Sequence, residues 1–214
     1  MDILARHQCM IYEGSPAKHL PGVAALIYAK LKADYRCLYL NSPAMLAGMR
    51  SYLYAAGVDV ALEVRKGALV LTSDQSHLMK GCFNVAKMLA LLVAAVEGAL
   101  QDGYTGLWAS GDMTWEFGSQ MNLDVLFDYE RGLEEIFRRY PALCGVCMYH
   151  CDTLPVKAVR TGLHLHQAIY INETLTRMNP YYGSAASMRD LGELEFSDKL
   201  EVLLRQFDPT ADKV

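Results

Sequence analysis

The stretch "RHQCMIYEGSPAKHLPG", Arg6 to Gly22, decides how the rest of the chain is read. Its first half alternates as a β-strand does, with His7, Cys9 and Ile11 on one face and Gln8, Met10 and Tyr12 on the other. The strand runs into a Gly-Ser-Pro turn, Gly14 to Pro16, where many α/β proteins place a phosphate-binding loop. This turn is not such a loop. Lys18 is followed by His19 rather than Ser or Thr, and G-x-x-x-x-G-K-[ST] occurs nowhere in the chain. Without the glycine-rich nest, the lysine and the hydroxyl, tight triphosphate binding of the usual kind loses its main donors. G-x-G-x-x-G is missing as well.

Working outward, strands and helices alternate. A helix with Val23, Leu26, Ile27 and Leu31 on its apolar face follows the turn, then a strand "RCLYLN" and a helix "AMLAGMRSYLYAAG" that closes at Gly57. "VDVALEV" and "ALVLTS" read as two strands around Lys66-Gly67. A long helix spans Val85 to Gln101, "YTGLWASGDM" is a strand with a polar end, and "LDVLFDYERGLEEIFRRY" is an amphipathic helix stopped before Pro141. "ALCGVCMYH" and "AIYIN" are further strands. This order predicts a three-layer α/β fold, a mostly parallel sheet flanked by helices.

Bulk properties exclude several function classes. Across 214 residues, 52% are hydrophobic and 21% charged, the balance of a folded globule. A net charge of -4 and the lack of any Lys/Arg run argue against direct nucleic-acid binding. The longest apolar run, "MLALLVAAV" (Met88 to Val96), is far short of the roughly 20 residues a membrane span needs. "MDILARHQ" has an acid at position 2 and no apolar core, so no signal peptide is expected, and the protein is expected in the cytoplasm. Its six cysteines should then be reduced thiols, available for packing, ligand contact or metal.

Several constellations are candidates for chemistry. His7 and Cys9 share a strand face and could form a ligand or metal pair, although packing of a buried thiol and a hydrogen-bonded imidazole explains them equally well. Two such ligands need a third and fourth partner, and none stands at a fixed spacing. "SGDMTWEF" ends a strand with Asp112 and Glu116 flanking Met113 and Trp115, at the edge where open α/β sheets bind ligands. In "CGVCMYHCD", Cys144, Val146, Met148 and His150 fall on one face and Cys147, Tyr149 and Cys151 on the other. Its C-x-x-C lies within a strand, which disfavours thiol redox chemistry. In "GLHLHQ", His164 and His166 stand at strand spacing without an acidic or cysteine partner at a set offset, and read as non-ligand histidines.

Taken in order, "HQCMIYEG", "AAGVDV" with "GALVLTS", "GYTGLWASGDMTWEF", "LFDYE", "CGVCMYH" and "MNPYY" resemble the successive blocks of the MEDS domain, the methanogen/methylotroph, DcmR sensory domain. The resemblance runs from about Arg6 to Tyr182 and implies a RecA/KaiC-like fold, a degenerate P-loop NTPase without the Walker A motif. It also implies a role in sensing small molecules, simple hydrocarbon derivatives among them, for signal transduction or transcription regulation. Carried over by position, the characteristic residues are His7, Cys9 and Tyr12, then Gly111, Asp112, Met113 and Trp115. Tyr129, Glu130, Cys147 and Tyr149 follow, and Asn179, Pro180 and Tyr182 close the set. Two positions depart from the pattern. Asp112 stands where the family usually has Glu, and "LHQA" stands where a His-Pro pair is common.

The resulting expectation is a sensory domain over residues 1–183 and an amphipathic tail over 184–214, with no enzymatic activity and with the cofactor unknown. A small organic ligand is expected at the carboxyl end of the sheet, lined by His7, Cys9, Tyr12, Asp112, Trp115 and Tyr149. Output is expected through a protein partner or a homo-oligomer such as a dimer, because the chain begins almost at the first block, with no room for a helix-turn-helix. The rivals are a nucleotide-binding switch with Asp112 or Glu116 holding magnesium, a His7/Cys9 metal protein or enzyme, and a scaffold with no ligand.

Overall fold

The computed structural model describes residues 6–73, 83–114, 123–166, 168–171 and 175–178. The strands are β1 (His7–Tyr12), β2 (Tyr35–Asn41), β3 (Leu69–Ser73), β4 (Gly106–Asp112), β5 (Leu143–His150), β6 (Ala168–Ile171) and β7 (Leu175–Met178). They form one sheet in the order β3-β2-β4-β5-β1-β6-β7, parallel except for the final β6–β7 pair. The helices are α1 (Leu20–Lys32), α2 (Pro43–Ala55), α3 (Val60–Arg65), α4 (Val85–Gln101), α5 (Leu123–Arg139) and α6 (Val156–Leu165). A short 3-10 turn, Pro16–His19, precedes α1.

Handedness explains which helix lies where. A right-handed crossover puts its helix on a face set by the direction of the step. The steps β1→β2→β3 run one way and carry α1 and α2, while β3→β4→β5→β6 run the other way and carry α4, α5 and α6. The two faces therefore bury separate cores. Met10 and Tyr12 pack with Leu20, Val23, Ile27 and Trp108 on the first face. Cys9 and Ile11 pack with Leu92, Leu133, Phe137 and Tyr149 on the second. This is the alternation expected of β1, and β5 divides its side chains in the same manner. β5, buried at every position, is the central strand that the run "LCGVCMYH" calls for.

Local signals place most helix ends. Ser42 caps α2 by accepting from Met45 N–H at 3.4 Å, with Pro43 in the first turn. Asn84 caps α4 by accepting from Lys87 N–H at 2.8 Å. α5 buries Leu126, Tyr129, Glu130, Leu133 and Phe137 at helical spacing and ends on Arg138 and Arg139, favourable for its dipole.

Three local expectations are corrected. "VDVALEV" is not a strand: Asp59 accepts from Leu62 N–H at 2.9 Å and starts the helix α3, a cap that outweighs the β-branched alternation. His164 does not sit at strand spacing with His166, because α6 runs through Leu165 and His166 is the residue after it. β7 adds an antiparallel edge strand within the expected sensory domain, over a stretch to which the sequence pattern assigned no element. The proposed tail, 184–214, lies outside the described residues.

Candidate functional site

The predicted site residues separate into two clusters at opposite ends and faces of β1. At the carboxyl end, on the α1/α2 face, Tyr12 Oη donates to Asp112 Oδ2 at 2.7 Å. Asp112 Oδ1 accepts from Thr114 N–H at 2.9 Å and from the Thr114 hydroxyl. Tyr39 joins behind them, accepting from Asn41 Nδ2 at 3.0 Å and lying 3.2 Å from His19 Nε2. Burial, with the Asp112 charge beside it, pushes the Tyr12 phenol well above its usual range. Burial also lowers His19 to about 4.

The turn that replaces a phosphate loop is held by the protein itself. Gly14, at φ 81, donates its N–H to Asp152 Oδ2 at 2.7 Å, and its carbonyl lies 2.7 Å from His150 Nε2. The Lys18 ammonium lies so close that a Cβ on Gly14 would meet it at 2.9 Å. Both Asp112 oxygens accept hydrogen bonds from the protein itself. Tyr12 and Asp112, both expected to line an organic pocket, are buried and hydrogen-bonded to each other.

The second cluster lies at the amino end of β1, on the α4/α5/α6 face. His7 begins β1, Glu130 comes from the middle of α5, Cys147 from β5, and His166 from the turn after α6. One donor atom from each lies within 4.8 Å of the donor atoms of the others, and all four residues are buried. Cys147 Sγ is 3.6 Å from His7 Nε2. Glu130 Oε2 faces His166 Nε2 at 3.8 Å and His7 Nε2 at 3.9 Å, too far for hydrogen bonds, and has no hydrogen-bond partner among the described residues.

Outer contacts orient these groups. His7 stacks on Phe137 at 4.2 Å, and its Nδ1 lies 3.3 Å from Glu134 Oε2. His166 Nδ1 lies 2.6 Å from the Gly162 carbonyl, which can only accept, so Nδ1 carries the proton and donates. Tyr149 donates its hydroxyl to Glu130 Oε1. The Tyr149 ring lies so close beneath α6 that a Cβ on Gly162 would meet it at 2.6 Å. Burial lowers His7 to about 3 and raises Glu130 to about 7, the latter against the Tyr149 hydrogen bond. His166 is also held well below its usual value, by burial and by His7.

Beside this cluster, between the sheet and α4/α5, lies a cavity of about 50 Å³. Leu40, Met88, Leu92, Leu133 and Phe137 give it apolar walls. Of the predicted residues, Gly111, Met113, Tyr129 and Cys147 line it. Cys147 therefore belongs to both cavity and cluster.

The expected His7/Cys9 pair looks different in three dimensions. Cys9 is buried opposite Cys147 in the β1–β5 register, and the described cluster around His7 contains Cys147 rather than Cys9. The cluster's fourth member, His166, escaped sequence reasoning because its partners lie far from it in the chain. The "LHQA" departure at that position was the only signal pointing to it. Trp115, Glu116, Asn179, Pro180 and Tyr182 lie outside the described residues.

Comparison with known proteins agrees with this architecture. The family model described as "MEDS: MEthanogen/methylotroph, DcmR Sensory domain" matches residues 6–167. Among solved structures, the flagellar accessory protein FlaH from Methanocaldococcus jannaschii is similar at a TM-score of 0.55 and 13% identity. That similarity covers 78% of this chain and 72% of that chain. At this identity the likeness shows the fold alone, a RecA/KaiC-like α/β fold. No curated protein matches the chain.

Proposed function

The chain belongs to the MEDS family, and from that premise we propose that this sensory domain responds to a small, largely apolar molecule held in the cavity beneath α4 and α5. The observation that carries the reading is the cavity itself. It is apolar-walled with a few polar groups, the composition small-molecule sites need. Its volume of about 50 Å³ compares with roughly 150 Å³ for a protein cavity that holds benzene. A guest of a few heavy atoms, of the size of a simple hydrocarbon derivative, suits it best.

In this reading the ligand acts by population shift: it favours the arrangement of α4 and α5 that fits it, and a protein partner or second copy of the chain reads their outer surface. The reading involves no catalytic turnover, no direct contact with nucleic acid and no membrane. Among the described residues no helix is long and apolar enough to cross a membrane.

Thermal unfolding of the full chain against a panel of short-chain alcohols and chlorinated alkanes tests this reading. The expected result is a concentration-dependent rise in Tm for one chemical series, lost when Leu133→Phe fills the cavity. A panel without any shift, or a shift that Leu133→Phe leaves intact, overturns it.

A further inference from the structure

We propose that His7 Nε2, Glu130 Oε2, Cys147 Sγ and His166 Nε2 together bind one divalent transition-metal ion of the zinc class, with a closed coordination sphere inside the domain. The first argument is spacing. Bonds of about 2.0–2.3 Å at tetrahedral angles separate neighbouring ligand atoms by about 3.3–3.8 Å. The contacts of 3.6, 3.8 and 3.9 Å between these atoms are close to that range, and the two oxygen–nitrogen contacts are longer than direct hydrogen bonds.

The second argument is the placement of protons. His166 must donate through Nδ1 to the Gly162 carbonyl, so its Nε2 presents a lone pair to the cluster. His7, with Nδ1 against the Glu134 carboxylate, is set in the same tautomer. Tyr149 occupies Glu130 Oε1 and leaves Oε2 aimed inward without a hydrogen-bond partner among the described residues. Two imidazole lone pairs, a carboxyl oxygen and a sulfur thus converge on one buried point. An imidazole held by a carboxylate or backbone carbonyl on its far nitrogen is the usual outer arrangement of a metal-ligating histidine. A purely structural core would leave Glu130 Oε2 with the desolvation cost of an unmet acceptor.

The donor set selects the ion. Nitrogen, sulfur and one carboxylate suit borderline metals such as zinc, and exclude calcium and magnesium, which require oxygen shells. The four ligands come from β1, α5, β5 and the turn after α6, so a bound ion would tie the amino end of the sheet to two helices.

Titrating the metal-stripped full chain with Co(II) tests the site. The expected result is one ion per chain, with tetrahedral d–d bands and a thiolate-to-metal charge-transfer band. That band should vanish in Cys147→Ser and persist in Cys151→Ser, which lies outside the cluster. Glu134→Ala, at a side chain 42% exposed, should keep the circular dichroism spectrum and weaken Co(II) binding by about 10- to 100-fold. X-ray absorption of the zinc-loaded natural chain requires no variant. It should show one sulfur at about 2.3 Å and three lighter scatterers at about 2.0–2.1 Å. A folded chain that binds no Co(II), a charge-transfer band that survives in Cys147→Ser, or a shell with several sulfurs overturns the site.

Discussion

At the carboxyl end of β1, Tyr12 and Thr114 supply hydrogens to both oxygens of Asp112, and Tyr39, Asn41 and His19 close the network behind them. At the amino end, on the other face, Tyr149 satisfies one oxygen of Glu130 while the second meets imidazole nitrogens 3.8 and 3.9 Å away. Both clusters are buried and rich in tyrosine, histidine and carboxylate. In the first both carboxylate oxygens accept hydrogen bonds, and in the second one carboxylate oxygen does not. The comparison teaches that loss of a phosphate loop does not by itself leave a hollow. Among the described residues the turn at the carboxyl end of β1 is held by the protein's own side chains, and the apolar cavity lies on the other face of the sheet.

The largest expected effect separates the two ends by their response to metal. If the amino-end cluster holds zinc, free ion at a thousand times its Kd stabilises the chain by about 4 kcal/mol over the stripped form. Chemical denaturation with and without chelator measures this, and Glu130→Gln should remove most of the difference.

Next in size is Gly162→Ala. Its new Cβ would meet the Tyr149 ring at 2.6 Å, so we expect a loss of up to about 3 kcal/mol together with weakened metal binding, because Tyr149 orients Glu130. A stable Gly162→Ala chain with unchanged metal affinity would show that the α6–Tyr149 contact does not position the cluster.

Acid sharpens the contrast from the other side. His19, faced by Tyr39, Asp112 and His150, is lowered in the fold to about 4 from 6.5, so the unfolded chain takes up its proton first. The stability contributed by neutral His19 is complete above pH 6.5 and is lost as pH falls from 6.5 towards 4. His19→Gln should therefore flatten the stability–pH curve of the metal-loaded chain in that window by on the order of 2–3 kcal/mol. Equal slopes in the two proteins would contradict the burial of a neutral imidazole there.

The smallest effect is also the most selective. Tyr12→Phe deprives buried Asp112 Oδ2 of its donor and should cost about 2 kcal/mol while leaving metal affinity unchanged. Tyr149→Phe removes a comparable donor from Glu130 and should alter metal affinity. If the two variants changed metal affinity alike, the two ends of β1 would not be independent.

Much of the fold was legible because its signals are local. The alternation of "HQCMIY" assigned both faces of β1, and the ends of α4 at Val85 and Gln101 agree with the pattern of apolar residues and the following Asp-Gly. α3 was misread because an aspartate cap decided the matter against an alternating valine pattern. α6 is amphipathic but was hidden by the strand-like spacing of His164 and His166 at its end, and β7 is only four residues long. The amino-end cluster was only half legible. His7, Glu130 and Cys147 stood out through the family resemblance, but they join with His166 only through the strand order that places β5 and β6 on either side of β1. Four positions as distant as 7, 130, 147 and 166 have no spacing from which a ligand set could be recognised.

The central claim is that binding chemistry lies at the amino-end cluster and not at the position of the missing phosphate loop. Parallel thermal unfolding of the stripped full chain with Zn(II) and with Mg-ATP tests it most directly. The account predicts a rise in Tm with Zn(II) that Glu130→Gln abolishes, and no change with Mg-ATP. A rise with Mg-ATP that Asp112→Asn removes, alongside indifference to Zn(II), would contradict it.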